Sequence, residues 1–287
     1  MRPSLPATIV CFMLPLAVFA TDSPSTDKSN YSLFNPVPAD QLRPLSSDAY
    51  DGVMDACTLD AGHYQVEGEF INYFYNSVTP YRYYSNEFAW EPRITVGLLN
   101  NLDFFVHPTY EIRLDDYKVT SSEFGRIATG VKVNLLGNDG GMIALAIKPY
   151  LSIPTSDSDA LGGGGVLGGG DVALLMRLPQ GFSVKFDSEF HASQKDNRTP
   201  YAGFYNAMSI NKTLCSKANA YWYLDSTVTS DSTETWYGYT GVGLEYNFTR
   251  NLQVFAGFGF GLAAPDWVSG QIRPYDYNPR AGFVWRL

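Results

Sequence analysis

Histidine and cysteine are scarce in this 287-residue chain, three of each, and no grouping of them has the spacing of a metal site, so neither a metal nor a cofactor is expected. Basic residues are also in deficit: 20 Lys and Arg stand against 29 Asp and Glu, a net charge of −9. That balance argues against a nucleic-acid partner, whose phosphates demand the opposite sign. Long apolar runs are missing as well. Beyond the N-terminus no stretch approaches 18 continuous apolar residues, so no membrane helix is predicted.

What the chain has in quantity is aromatic residues, 15% overall with 20 Tyr and 18 Phe, at a mean hydropathy of only −0.14. Strands with one lipid face and one wet face have this composition, because the two faces cancel in the average. The N-terminus reads MRPSLPATIVCFMLPLAVFATDSP. Arg2 is a positive n-region, Leu5 to Phe19 an apolar h-region, and Val18-Phe19-Ala20 a small-x-small cleavage site, so residues 1–20 read as a secretory signal peptide. Pro6 and Pro15 interrupt the run and leave it too short to span a membrane comfortably. Cys11 lies inside it, without the small residues that precede a lipidated cysteine.

The segment YSNEFAWEPRITVGL, Tyr84 to Leu98, places Tyr84, Phe88, Trp90, Ile94, Val96 and Leu98 on one parity and Ser85, Glu87, Glu91, Arg93 and Thr95 on the other. A period of two is a β-strand with an apolar face and a charged face. At ~3.3 Å per residue and a tilt of ~45°, such a strand rises about 35 Å, enough to cross a bilayer. The same alternation recurs from Tyr64 to the C-terminus and predicts twelve strands, of which the one around Phe204 to Ile210 is the weakest. Short connectors fall at Asn100-Asn101, Gly137 to Gly141, Pro179 to Gly181, Asn211 to Lys217 and Thr249 to Asn251. Longer polar ones fall at Ser77 to Tyr83, Tyr117 to Gly125, Pro154 to Gly169, His191 to Pro200, Thr229 to Glu234 and Ala264 to Pro274. Even strand number and alternating loop length predict an all-β, antiparallel up-and-down transmembrane barrel over 62–287, with both termini on the short-turn, periplasmic side. A lipocalin-like barrel or a sandwich would turn the apolar parity to a core, but twelve strands enclose a lumen too wide for side chains to fill. The last residues, AGFVWRL, carry Phe283, Trp285 and Leu287 on one parity, a terminal strand suited to recognition by the barrel-insertion machinery. Outer-membrane lipid is thus the first partner expected, with Tyr84, Trp90, Trp222, Trp236, Tyr275 and Trp285 in its aromatic girdles.

The inward parity collects the chain's charge: Glu67, Glu69, Glu87, Glu91, Arg93, Glu111, Arg113, Lys132, Lys148, Lys185, Asp187, Glu189, Glu245 and Arg280. Acids and bases on neighbouring strands form ladders that steady the wall and set the field of a pore lumen, the candidate path of a small-molecule solute. The same ladders also suit a narrow, ion-paired lumen that conducts nothing. Ahead of the barrel lies an N-terminal segment over 21–61, of which Asn35 to Ala61 is rich in Pro, Asp and Ser and cannot make a strand of the barrel; two placements stay open, a periplasmic linker or a plug in the lumen. Cys57 and Cys215 both fall on the predicted periplasmic side, in an oxidising compartment, and a disulfide between them is expected to pin this segment under the barrel.

Catalytic signals are weak. His63 and His107 have no serine at useful spacing, and His191 with Ser193 reads as a solvated loop pair more readily than as a nucleophile and its base. Asp157 and Asp159 sit in a polar loop. The run LGGGGVLGGG, Leu161 to Gly170, lacks the Lys-Ser/Thr of a phosphate loop. No enzyme activity is predicted.

The stretch Leu42 to Glu67 carries one specific pattern. Arg43-Pro44, Ser46 and Asp48, then Thr58, Ala61-Gly62, Gln65 and Glu67, match an R-P-x-S-x-D segment followed by T-x-x-A-G-x-x-Q-x-E. It resembles the opening of the outer-membrane transporter family labelled "MetA-pathway of phenol degradation", whose members often carry Arg-Pro after the Asp, where this chain has Ala49-Tyr50. The resemblance extends in strand pattern from Asn35 to Leu287. It implies a barrel that passes small solutes, hydrophobic or aromatic ones among them, across the bacterial outer membrane.

Overall fold

The computed structural model describes residues 27–48, 52–78, 83–115, 118–155, 165–193, 201–229, 236–262 and 277–287. Its strands are β1 (Tyr64–Val78), β2 (Tyr83–Trp90), β3 (Arg93–Leu99), β4 (Leu102–Asp115), β5 (Lys118–Leu136), β6 (Ile143–Ile153), β7 (Leu167–Leu178), β8 (Phe182–Ser193), β9 (Tyr201–Cys215), β10 (Ala218–Thr229), β11 (Trp236–Asn247), β12 (Leu252–Leu262) and β13 (Tyr277–Arg286). Each is antiparallel to its neighbour, and β13 closes on β1 from Gln65↔Arg286 to Tyr75↔Tyr277. β2 and β3 both lie between β1 and β4, so they are two halves of one span and the barrel is twelve-stranded.

Burial runs opposite to that of a water-soluble barrel with an apolar core. Phe70 is 64% and Val242 52% exposed, whereas Glu67 and Lys185 are 2% and 3% exposed. Polar side chains line the inside and apolar ones face out, the arrangement that hydrocarbon outside and water inside select. In β6 this reads residue by residue: Ala144, Ala146 and Lys148 are buried while Ile147, Leu151 and Ile153 are exposed.

The strands run one to three residues into the loops expected at Ser77 to Tyr83, Pro154 to Gly169 and His191 to Pro200, which places His191 and Ser193 in β8, and three boundaries depart further from the sequence reading. The span expected to run unbroken from Tyr84 to Leu98 is interrupted at Glu91-Pro92, because Pro92 has no N–H to give the ladder. The turn expected over Asn211 to Lys217 shrinks to Ser216-Lys217, since Asn211 to Cys215 continue β9; the alternation there is masked by polar Asn211, Lys212 and Thr213. The long loop expected over Tyr117 to Gly125 is almost all strand: β5 begins at Lys118, and its first turn of polar residues, KVTSSE, hides the period.

Candidate functional site

The N-terminal segment enters the barrel from the short-turn end. Leu33 N–H donates to Leu98 O (2.8 Å) and Val37 N–H to Ala61 O (3.0 Å), and the chain then reverses into β1 at Gly62. Gly62 has φ +79° and packs against Pro36 so closely that a Cβ there would collide with the proline ring. Residues 43–48 and 52–61 lie against the inward face of the strands: Val53, Ala56, Asp60 and Ala61 have no exposed surface.

A buried charge knot roots this plug. Asp60 receives Lys28 Nζ at 2.9 Å and the backbone N–H of Arg43 at 2.7 Å, with Arg286 Nη1 at 3.7 Å. The Arg43 guanidinium spans from Asp139 (2.8 Å) to the carbonyls of Thr58 (3.2 Å) and Leu59 (3.3 Å) and to Asn100. Asp139 sits in the β5–β6 turn; burial would raise its carboxyl, but Asn100, Arg43 and Lys28 outweigh that and hold it below the usual range. Arg286, from the last strand, donates to Arg43 O at 2.8 Å.

Higher in the lumen the plug meets the wall charge by charge. Asp48 lies 3.1 Å from Arg93 and 3.2 Å from Lys132. Burial pushes its carboxyl up, yet Lys132, Arg93 and Lys148 together hold it well below the ordinary carboxylate range. Glu67 accepts from Ser47 Oγ (2.5 Å) and Asp48 N–H (3.0 Å), and Gln65 donates to Ser46 O at 2.8 Å. Asp55 faces Lys185 at 3.6 Å, Leu59 N–H donates to Asp103 at 2.9 Å, and Asn134 donates to Ala56 O at 2.7 Å. Tyr205 reaches across from β9 to Gly52 O at 2.7 Å. The apolar part of the seat is made of small residues: Met54, Ala56 and Cys57 pack on Ala144, Ala146, Ala173 and Leu175. Alanine on the inward face of β6 and β7 leaves the volume the plug occupies.

The opposite wall is filled without the plug. Tyr221 and Tyr223 of β10 lie flat over the inward glycines of β11 and β12, and Phe255 lies over Gly282 of β13. A side chain at Gly243 would run into the Tyr221 ring, and one at Gly241 into Tyr223. Nearby, Arg280 grips Glu69 at 2.6 Å.

Among the residues singled out from sequence, Glu67, Glu69, Arg93, Lys132, Lys148, Lys185, Asp187, Glu189, Glu245 and Arg280 have the environments of an inward wall. Lys148 pairs with Asp171 at 2.5 Å, Asp187 accepts from Met54 N–H at 3.4 Å, and Glu189 is met by Tyr150 and by His191 Nδ1 at 3.1 Å. Glu245 accepts from Asn219. Glu91 is half-buried at the break between β2 and β3. The side chains of Glu87, Glu111, Arg113 and Ser193, and all of Asp157 and Asp159, lie outside the described residues. His191 thus faces a carboxylate, with no described serine partner.

The expected Cys57–Cys215 disulfide is not formed. Both are free thiols: Cys57 is buried against Arg177 Nη2 (3.1 Å) on the β7 wall, whereas Cys215 is exposed at the β9–β10 turn. The plug is drawn to the alanine seat on β6 and β7 instead of crossing to β9. Burial, and then the neighbouring Asp55 carboxylate, push the Cys57 thiol up to about 12. Sequence reasoning missed Asp48, Asp55 and Asp60 as partners of the wall. Their signal was a set of acids in a segment without strand period, facing inward Lys and Arg that needed countercharge.

No curated protein sequence matches the chain. Solved structures with the same fold include the COG4313 outer membrane channel from Pseudomonas putida F1, 13% identical, with a TM-score of 0.58 over 78% of this chain and 93% of that one. The NanC porin is 10% identical, with a TM-score of 0.52 over 78% of this chain and 100% of the porin. The model of the family described as "Putative MetA-pathway of phenol degradation" matches residues 41–271, from just before the plug's root to just short of the last strand, and the chain belongs to that family.

Proposed function

We propose that the protein is an outer-membrane channel for small solutes whose lumen is closed by its own N-terminal segment. One observation carries this reading: the plug is held by charged and polar contacts to a polar wall, Asp48 between Arg93 and Lys132 foremost. A permanently filled core is better stabilised by apolar packing, since a buried ion pair gains little net energy over a hydrophobic replacement. Groups that water can solvate once they part suit a seal that opens. Residues 1–20 act as the signal peptide, the short-turn end faces the periplasm, and the aromatic-rich last strand engages the insertion machinery. Glu67, Glu69, Arg93, Lys132, Lys148, Lys185, Glu189, Glu245 and Arg280 line the solute path, together with Glu87, Glu91, Glu111 and Arg113. Hydrophobic or aromatic solutes are favoured by the family and by the Tyr221, Tyr223 and Phe255 wall. The protein is not an enzyme in this reading.

Full burial of Val53 and Asp60 favours a second reading, a structural barrel that stays shut. Single-channel recording in planar bilayers separates the two. The channel reading expects discrete openings that grow when Asn35 to Ala56 are deleted. Silence from both chains, each shown to be folded by heat-modifiable migration, would leave the shut barrel.

A further inference from the structure

Between the plug and the short-turn rim lies a cleft of about 510 Å³, within the range of small-molecule sites. Pro44, Leu45 and Leu175 give it apolar surface; Lys28, Arg43 and Arg177 bring cations and Asp55 and Asp139 carboxylates. The carboxylates are already matched. Asp139 is held by Arg43 at 2.8 Å and Lys28 at 3.5 Å, and Asp55 accepts from Cys57 N–H at 2.8 Å and faces Lys185 at 3.6 Å. Lys28 and Arg43 are further tied to Asp60.

Arg177 is different. Its Nη1 donates to Gly137 O (3.3 Å) and Gly141 O (3.0 Å), and its Nη2 to Cys57 Sγ (3.1 Å). Among the described residues no carboxylate lies within ion-pair distance of it. Three of the guanidinium's five N–H groups are therefore used on neutral acceptors, and Nε–H and one Nη2–H remain. The carbonyls fix the plane of the group without cancelling its charge. A planar carboxylate is the chemistry that a guanidinium's remaining donors fit, and an apolar body beside it would rest on Leu175, Pro44 and Leu45.

We infer that this cleft is a binding station for a small monocarboxylate with an apolar body, held by Arg177 at the short-turn mouth of the barrel. The inference rests on the channel reading and deepens it, placing a solute-recognition point beside the root of the plug. An occupant there lies against Cys57 and the Arg43–Ser46 stretch, so it reports on the plug as well as on the solute.

The test is calorimetric titration of the detergent-solubilised full chain with benzoate and with benzamide, its uncharged counterpart. Benzoate is expected to bind saturably and to lose about tenfold or more in affinity in Arg177→Met, with partial recovery in Arg177→Lys. Benzamide is expected to bind weakly and alike to all three. A merely structural arginine would leave the benzoate-to-benzamide ratio unmoved by either substitution, and that result, or the absence of saturable benzoate binding, overturns the inference. Should Arg177→Met fail to fold, Arg177→Gln, which keeps a neutral hydrogen-bond donor toward Gly137 O and Gly141 O, replaces it: benzoate must lose affinity in this variant and benzamide must not, and an unchanged benzoate affinity overturns the site. Bilayer conductance reads the two ideas apart. A conducting chain that does not bind benzoate discards the cleft and keeps the channel; a silent one with Arg177-dependent binding does the reverse.

Discussion

The β4–β8 wall and the β10–β13 wall solve the same problem in opposite ways. A twelve-stranded barrel encloses more space than its inward side chains fill unaided. On β10 to β13 the wall fills its own share, by laying Tyr221, Tyr223 and Phe255 flat over glycines. On β4 to β8 it offers alanines and the cations Lys132 and Lys185, and a separate piece of chain supplies both the bulk and the carboxylates that face them. The first solution is fixed once the strands pair. The second depends on a separate segment, and in the channel reading proposed above any gate belongs to the β4–β8 side.

The comparison is broken most severely by deleting Asn35 to Ala56, which should convert a closed barrel into an open one in bilayer recordings while β10 to β13 keep their aromatic packing, read as retained near-UV dichroism. Next in size is Asp48→Asn. It strands Arg93 and Lys132 in a buried site, where loss of one partner costs about 3–5 kcal/mol, and should expose the plug to protease while the barrel stays folded. Gly243→Val attacks the other wall. Overpacking against the Tyr221 ring should cost about 1–3 kcal/mol of barrel stability, seen as a lower midpoint in urea, without raising conductance. A similar effect on plug clipping from Gly243→Val and Asp48→Asn would erase the distinction between the two walls.

Acid gives a graded version of the Asp48 test. Its folded-state pKa lies below its unfolded value, so its contribution is complete above the unfolded value and is lost as pH falls from about 4 toward the folded one. Plug proteolysis should therefore be unchanged between pH 7 and 5 and rise toward pH 3. The smallest effect is a difference in thiol chemistry: at pH 8, iodoacetamide should modify exposed Cys215 readily and leave Cys57, with its thiol pushed up to about 12, essentially untouched. Peptide mapping reads both sites at once.

How much of this was legible beforehand follows from what each feature depends on. The strands were, because alternation is local: Val66 against Glu67, Val184 against Lys185 and Leu244 against Glu245 declare two faces with no knowledge of the partner strand. Strand ends were less so where consecutive polar residues blur the alternation, as in KVTSSE at the start of β5 and Asn211 to Thr213 near the end of β9. The lumen wall was readable as a set of inward charges, but not who neutralises them. That pairing joins residues as far apart as Asp48 and Lys132, and no local period encodes it. The residues carrying the family resemblance acquire a physical meaning only in three dimensions. Arg43, Asp48, Thr58, Gly62, Gln65 and Glu67 are the joints by which the plug is rooted, turned and seated.

The grip of Arg286 on the carbonyl of Arg43 bears on how the molecule is assembled. The plug runs directly into β1, and β1 forms one lip of the seam that β13 must close. Gln65 and Glu67 on one lip and Arg286 on the other both hold the same stretch of plug. The same stretch of chain is therefore held from both sides of the seam, by contacts that lie outside the β1–β13 ladder. It acts as a clasp that joins the first strand to the last.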